Sequence, residues 1–233
     1  MNIFYLPEID PAGATLSEEE SGHAIRVLRL KEHDPVTLVN GKGILFEAEI
    51  SVAHPKKCQL RIIRFWEEYE KRSYTIHLAV APTKNQDRME WLVEKATEIG
   101  LDEFTPLLCR FSERKQIQHN RLEKIAVAAM KQSLKAYLPG IREMIAFEQF
   151  ISHPFPGQKF IAHCYPGDKP FLKDLVDRDE NVLVLIGPEG DFSPEEVTLA
   201  IAAGFHEVSL GRSRLRTETA ALAACHTVAL CNF

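Results

Sequence analysis

A glycine-rich turn that carries carboxylates follows a short apolar segment late in the chain. The segment Val182–Ile186 has the β-branched composition of a buried strand, and residues 187–191 read Gly-Pro-Glu-Gly-Asp. We call residues 187–191 the acidic turn. A phosphate site at a helix start uses bare backbone N–H groups and a cation, whereas this turn offers Glu189 and Asp191 and no lysine. The turn favours a neutral or cationic ligand over a polyphosphate; an ordinary strand-to-helix connection is the alternative.

A second loop, nearer the C-terminus, carries three arginines at alternate positions. Residues 207–211 have the pattern of another short strand ending in glycine, and residues 212–216 read Arg-Ser-Arg-Leu-Arg. We call residues 211–216 the arginine loop. Thr217 is the predicted N-cap of the helix that follows. The arginine loop is either a cationic wall facing the acidic turn from a neighbouring strand or a solvated surface loop.

The two loops together resemble the paired signature of the RsmE family, the 16S ribosomal RNA uracil-N3 methyltransferases of the SPOUT superfamily. The resemblance rests on Ile186-Gly-Pro-Glu-Gly-Asp-Phe-Ser and Leu210-Gly-Arg-Ser-Arg-Leu-Arg-Thr-Glu-Thr-Ala220, and it extends over essentially the whole chain. Asp191 stands where the family usually has a second glycine. The resemblance implies an α/β fold with a SPOUT-type parallel sheet and a C-terminal trefoil knot, plus a small N-terminal PUA-like β-barrel domain. It also implies S-adenosyl-L-methionine (SAM) as cofactor, a homodimer, and 16S rRNA of the small ribosomal subunit as partner.

The resemblance further implies which residues bind the cofactor. We expect backbone groups of three loops that follow strands to bind it, with Leu210 and Leu215 on the two sides of the adenine ring. The implied cofactor-binding residues are His163, Ile186, Gly187, Pro188, Glu189, Gly190, Leu210, Gly211, Leu215, Arg216, Thr217, Thr219 and Ala220.

Methylation at N3 of uracil places specific demands on the catalytic residues. The target base must be unpaired, because N3 lies on its Watson–Crick edge. Loss of the N3 proton spreads negative charge over the flanking carbonyl oxygens, and Arg216 is the residue predicted to stabilise it. Glu218 and Glu189 are both candidates for the base that removes the proton. Either could instead hold the amino group of the cofactor or offset its sulfonium charge.

Basic residues outside the arginine loop are candidates for RNA contact. His23 with Val27-Leu28-Arg29 is similar to the N-terminal motif of the family, and Lys84 and Arg110 are similar in placement to its RNA-facing positions. A half-buried element with a solvated basic side is the alternative interpretation of residues 23–31. The implied RNA-binding residues are His23, Arg26, Arg29, Lys84, Arg110, Arg212 and Arg214.

Composition limits the other classes of function. The net charge of −5 argues against a broadly basic nucleic-acid surface, so any RNA contact must rest on local clusters. The 5 cysteines are odd in number and form no C-x-x-C pair, and no histidines stand at metal-ligand spacing, so neither a disulfide framework nor a metal site is expected. The N-terminal residues lack the pattern of a signal peptide and no apolar run has membrane-spanning length, which predicts a cytoplasmic protein without membrane contact.

The elements that must position these loops fall into two predicted domains. Residues 1–70 read as a small β-rich domain with a hairpin signal at Asn40-Gly-Lys-Gly43, and residues 74–233 alternate strands and helices, which predicts a mainly parallel sheet with helices on both faces. One helix is expected over residues 121–137, with Leu134 facing inward. Another is expected after the acidic turn, with Ser193 as its N-cap, Pro194 at the first helical position and Glu196 closing a capping box.

Three alternatives to a 16S rRNA methyltransferase are compatible with the sequence. The chain could be a non-catalytic RNA-binding protein of the same fold, or a methyltransferase that acts on another RNA. It could also be a small-molecule enzyme that uses the parallel sheet for a different nucleotide.

Overall fold

The computed structural model describes residues 2–10 and 13–233, which divide into two compact units. The first unit comprises residues 1–71 together with 130–138, and the second comprises residues 72–129 and 139–233. The change of unit after residue 71 lies between the two predicted domains, residues 1–70 and 74–233. Residues 130–138, which the sequence placed in the second domain, cluster with the first unit instead.

The first unit is built on a five-stranded sheet in the order β1-β3-β4-β5-β2. Its strands are β1 (Ile3–Tyr5), β2 (Ala14–Thr15), β3 (Pro35–Val39), β4 (Leu45–Val52) and β5 (Gln59–Trp66). The predicted hairpin joins β3 to the antiparallel β4, because Gly41 and Gly43 adopt φ of 71° and 93°. The Asn40 side chain closes this turn by accepting hydrogen bonds from the backbone N–H groups of Lys42 and Ile44 at 2.8 and 3.0 Å.

The basic segment before β3 forms a short helical element that is only partly buried. Helix α1 (Glu18–Gly22) continues into one π-helical turn, His23–Val27. Ile25 packs against the apolar core of the first unit, whereas Val27 is 65% exposed. The alternative of a half-buried element with a solvated basic side agrees with this pattern, since Ala24 is buried whereas Arg26 and Arg29 are exposed.

The second unit contains a seven-stranded sheet in which every strand pair is parallel. The order is β12-β10-β11-β6-β7-β8, and β9 pairs with β7. The strands are β6 (Ile76–Val80), β7 (Glu103–Leu108), β8 (Gly140–Ile141), β9 (Ile145–Ala146), β10 (Gln158–Ala162), β11 (Val182–Ile186) and β12 (His206–Val208). The predicted parallel sheet is confirmed, and β10, β11 and β12 end at one edge, where their loops meet.

Helices of the second unit cover the sheet. They are α2 (Gln86–Ile99), α3 (His119–Gln132), α4 (Phe147–Ile151), α5 (Pro194–Ala202) and α6 (Thr217–Cys231). Leu183 and Leu185 of β11 belong to an apolar cluster with residues of α4 and α5. Because side chains alternate along a strand, Val184 and Ile186 face the other side, where α6 contacts β6 and β11.

Two predicted helix ends differ from the structure. Helix α3 ends at Gln132, and Leu134 beyond it has a φ of 59° and is 43% exposed rather than inward-facing. The N-cap of α6 is Arg216, not Thr217, because the Thr217 hydroxyl is used elsewhere. The capping box at the start of α5 is confirmed, with Ser193 and Glu196 each accepting a hydrogen bond from the backbone N–H of the other.

Candidate active site

A cavity of about 690 Å³ lies where the loops after β10, β11 and β12 meet. From the loop after β10 it is lined by Ala162, His163, Cys164, Tyr165, Gly167 and Lys169. From β11 and the acidic turn it is lined by Ile186, Gly187, Pro188, Glu189 and Asp191. From β12, the arginine loop and α6 it is lined by Val208, Ser209, Leu210, Gly211, Arg212, Ser213, Arg214, Leu215, Arg216, Thr217 and Ala220. The two loops that the sequence singled out therefore share one cavity.

The acidic turn and the arginine loop are joined by a buried hydrogen bond. The Thr217 hydroxyl donates to the Gly187 carbonyl oxygen at 3.0 Å. Thr217 is buried. Without its hydroxyl, the Gly187 carbonyl oxygen would therefore have neither this donor nor water as a hydrogen-bond partner. This use of its side chain explains why Thr217 does not cap α6.

Carboxylates in and just after the acidic turn anchor the neighbouring loops through backbone N–H groups. Asp191 accepts hydrogen bonds from the N–H of Cys164 and of Phe192 at 2.7 and 2.8 Å. Its φ of 68° is a left-handed conformation that aspartate tolerates better than most residues. Glu189 accepts from the Lys84 N–H at 3.0 Å, in the loop after β6.

Glu196 holds the loop after β7 in the same way. Its Oε1 accepts from the Arg110 N–H at 2.8 Å and its Oε2 from the Ser193 N–H at 2.7 Å. The carboxylate is buried, and backbone hydrogen bonds use both of its oxygens. Glu189, Asp191 and Glu196 thus hold the loops after β6, β10 and β7.

His163 forms a rigid wall of the cavity. Its side chain is 3% exposed, and its Nε2 lies 2.8 Å from Glu207 Oε1. Its Nδ1 accepts a hydrogen bond from the Tyr165 N–H at 3.2 Å, which assigns the ring proton of the neutral imidazole to Nε2. Lys169 crosses the same loop and donates to the Tyr165 carbonyl oxygen.

The arginine loop presents free cations to the cavity. The side chains of Arg212, Arg214 and Arg216 are exposed, and none forms a hydrogen bond or ion pair with the residues that the structure describes. Unpaired guanidinium groups at a cavity are available for an anionic or electron-rich ligand.

Most of the expected cofactor residues line this cavity. Gly190 and Thr219 do not; Gly190 faces Phe111 and Thr219 is an exposed residue of α6. Glu218 also lies outside the lining. It is buried, its Oε1 is 3.6 Å from Arg88 Nε, and its Oε2 has no hydrogen-bond partner among the described residues.

Sequence reasoning missed Gly167 and Lys169 as lining residues. The implied cofactor-binding residues include only His163 from the loop after β10, because no local pattern shows that residues further along this loop also line the cavity. Asp191 was noted as a departure from the family pattern, but its hydrogen bond to the Cys164 N–H joins residues too far apart for a local signal.

The other expected RNA-binding residues lie outside the cavity lining. In the first unit, His23, Arg26 and Arg29 are exposed. In the second unit, Lys84 pairs with Glu113 at 3.0 Å, and Arg110 is exposed. Within residues 2–10 and 13–233 no cluster of side chains suits a metal ion, and no helix there is long and apolar enough to cross a membrane.

Comparison with known families matches both parts of the chain. Residues 70–229 match the family described as an RNA methyltransferase domain, and residues 16–63 match an RNA methyltransferase PUA domain. A ribosomal RNA small subunit methyltransferase E from Synechocystis is 29% identical over 220 residues, which cover 91% of this chain and 71% of the relative.

Solved structures show the same architecture. A probable rRNA-methyltransferase from Porphyromonas gingivalis is 43% identical, with a TM-score of 0.92 and 99% of each chain covered. A ribosomal RNA small subunit methyltransferase E from Neisseria gonorrhoeae, solved bound to S-adenosyl methionine, is 27% identical with a TM-score of 0.86, covering 97% of this chain and 95% of the other. From these matches over its length, the chain belongs to the ribosomal RNA small subunit methyltransferase E family of RNA methyltransferases.

Proposed function

We propose that this chain is a SAM-dependent methyltransferase that modifies N3 of a specific uridine in 16S rRNA of the small ribosomal subunit. The observation that carries the proposal is the shared cavity of the acidic turn and the arginine loop, in a chain whose relatives are small-subunit rRNA methyltransferases.

The cavity suits SAM in size and in charge. Its volume of about 690 Å³ falls in the range of small-molecule sites. SAM carries a sulfonium and an amino group as well as a carboxylate, and the lining offers the negative charge of Asp191 for the first two and the Lys169 ammonium for the third. When bound, SAM supplies an electrophilic methyl group. Leu210 and Leu215 supply apolar surface for its adenine ring.

Arg216 is the residue that we assign to stabilising the target base. The negative charge left on the uracil carbonyl oxygens after loss of the N3 proton needs a positioned cation. Arg216 lines the cavity, its side chain has no partner among the described residues, and the N-cap position fixes its backbone at the start of α6.

Glu189 is the better candidate for the base that removes the N3 proton. A general base must lie within reach of the proton, so the position of a carboxylate is the first criterion and its proton affinity the second. Glu189 is exposed and lines the cavity, and the Lys84 N–H engages only its Oε1. Glu218 is buried outside the lining beside Arg88, which fits a role in holding α6 against α2.

RNA binding is proposed for both units. Arg26 and Arg29 supply exposed cations on the PUA-like unit, with exposed His23 in the same segment, which suits phosphate contact despite the net charge of −5. In the second unit we assign the same role to Lys84, Arg110, Arg212 and Arg214. We assign RNA binding to a domain of residues 1–70 and methyl transfer to a domain of residues 74–233.

The trefoil knot, the homodimer and a cytoplasmic location are also part of the proposal. The knot is supported by the path of the C-terminal residues: β12 lies at the sheet edge beside β10, while α6 returns to contact α2, β6 and β11. Sedimentation of the purified chain at twice the monomer mass is the expected result for the homodimer.

Two measurements test the function. Calorimetry should show SAM binding, with ATP and NAD as controls that do not bind; binding of NAD instead would favour a small-molecule enzyme. Mass mapping of 16S rRNA from cells with and without this protein should then show one 3-methyluridine that depends on it. SAM binding without transfer to small subunits or to any RNA would favour the non-catalytic RNA-binding alternative.

A further inference from the structure

The tight turn after β7 presents an aromatic side chain beside the acidic turn. Phe111 is 45% exposed, and a methyl group placed on Gly190 would lie 3.2 Å from Phe111 Cβ. Gly190 does not adopt a positive φ, so a glycine there makes room for Phe111 rather than supplying an unusual dihedral angle. Both chain neighbours of Gly190, Glu189 and Asp191, line the cavity. Phe111 therefore packs against a residue whose two chain neighbours line the cavity.

Hydrogen bonds hold this turn in one conformation. The Ser112 N–H donates to the Cys109 carbonyl oxygen at 3.1 Å, and the Cys109 N–H donates to the Ser112 hydroxyl at 3.0 Å. The Arg110 N–H donates to buried Glu196. A single exposed apolar residue on a surface needs no special account, but a backbone held by hydrogen bonds next to the acidic turn lowers the entropy that is lost when Phe111 binds a ligand.

One cation next to the ring remains available. Arg114 donates to the carbonyl oxygens of Thr83 and Lys84, and the Lys84 ammonium pairs with a glutamate. The exposed Arg110 guanidinium forms no hydrogen bond within the described parts of the chain, and it interacts electrostatically with the exposed Glu195. An aromatic face with an adjacent exposed arginine is the combination that binds an unpaired nucleobase and its phosphate.

We propose that Phe111 stacks on the extruded target base of the RNA and so positions its N3 edge at the cavity mouth beside Glu189. This inference rests on the proposed function and names a substrate contact that neither the acidic turn nor the arginine loop provides. Stacking suits an unpaired pyrimidine because every base presents a flat face to an aromatic ring.

The test is a thermodynamic cycle with the full chain and a 16S rRNA fragment that spans the methylated uridine. The Kd is measured for this fragment and for the same fragment with an abasic site at that position. For the intact fragment, Phe111→Ala should weaken binding about 5- to 150-fold, and Phe111→Tyr should retain most of the affinity. For the abasic fragment, the unmutated chain and Phe111→Ala should bind equally, because without the base there is no stacking interaction for the substitution to remove.

Controls separate this inference from the proposed function. Trp91→Ala removes another exposed aromatic of the second unit, on α2, and should leave both Kd values unchanged. SAM affinity should be the same in all variants, since Phe111 does not line the cavity. Equal losses for Phe111→Ala on both fragments would overturn the inference while leaving the function intact. Failure of the unmutated chain to bind the intact fragment would overturn both.

Discussion

At the scale of single residues, the cavity combines one cation and one carboxylate whose tasks differ. Arg216 and Glu189 come from different loops and both line the cavity. The Arg216 side chain has no partner among the described residues, whereas Lys84 N–H fixes one oxygen of Glu189. Substitutions at these two positions should therefore affect the reaction in distinguishable ways.

Arg216→Ala should lower kcat by about 100- to 1,000-fold, which is the typical cost of removing one donor to developing negative charge. The Kd for SAM should change little, because the cofactor is expected to be bound mainly by backbone groups. Single-turnover methylation of small subunits and calorimetry measure the two effects. Arg216→Lys keeps the charge and should recover part of the rate; an Arg216→Ala variant with normal turnover would show that the assigned role is wrong.

Glu189→Gln should slow methyl transfer by about 100-fold or more while preserving the loop geometry. The glutamine Oε1 can still accept from the Lys84 N–H, so only proton removal is lost. A rate that recovers as pH rises, when uracil loses its proton without help, is the expected signature. A uniform loss at all pH values would instead indicate a positioning role.

At the scale of elements, side-chain contacts to the backbone hold the loops of the sheet edge together. Glu189, Asp191 and Glu196 each bind the N–H of a residue in a neighbouring loop, and Thr217 binds the Gly187 carbonyl. A cavity built mainly from such loops keeps its shape only while those contacts persist.

Thr217→Val should weaken SAM binding and destabilise the chain by about 1–3 kcal/mol, because the buried Gly187 carbonyl loses its donor. Valine has nearly the same shape, so packing is retained. Thermal unfolding and SAM calorimetry measure the two effects, and Thr217→Ser should restore both. If Thr217→Val binds SAM normally, the link between the two loops is not needed for the cofactor site.

Strand β6 carries a buried histidine that should make stability depend on pH. Burial lowers the pKa of His77 to about 4, outweighing the opposing effect of Glu103. Below pH 6.5 the unfolded chain binds a proton that folded His77 does not take up until about pH 4, so stability falls across that window. The loss amounts to about 3 kcal/mol at its full extent.

His77→Gln should reduce that acid sensitivity. Glutamine does not titrate and can keep the hydrogen bond to the Thr105 hydroxyl, which lies 2.8 Å from His77 Nε2. Urea unfolding of both proteins from pH 4.5 to 7.5 should show a smaller slope for the variant below pH 6.5. Parallel curves would contradict the assignment.

At the scale of the whole molecule, RNA binding by a chain of net charge −5 must depend on local cationic patches. Replacing Arg26 and Arg29 together with alanine should lower RNA affinity and reduce the slope of log Kd against log salt by about 1 to 2. SAM affinity should stay constant. Lys56→Ala is the matched control, since Lys56 already pairs with Glu18 at 3.7 Å. An unchanged salt slope in the double variant would exclude these arginines as phosphate contacts.

The sequence by itself determined the features that depend on neighbouring residues. Val182–Ile186, the acidic turn and the capping box of α5 form one local unit, because strand composition, glycines and a cap act within a few residues. The hairpin at Gly41 and the alternation of strands and helices followed in the same way, and the resemblance supplied the family.

Only the tertiary structure decided which polar groups meet. Thr217 had the local pattern of a cap, yet its hydroxyl donates to Gly187, 30 residues away, and Asp191 binds the N–H of Cys164, 27 residues away. The sequence likewise did not predict that α3 ends at Gln132 or that residues 130–138 cluster with the first unit. A hydrogen bond needs its donor and acceptor within about 3 Å. Parallel strands bring loops that are distant in the sequence to within this distance, and this proximity leaves no periodic signal in the sequence.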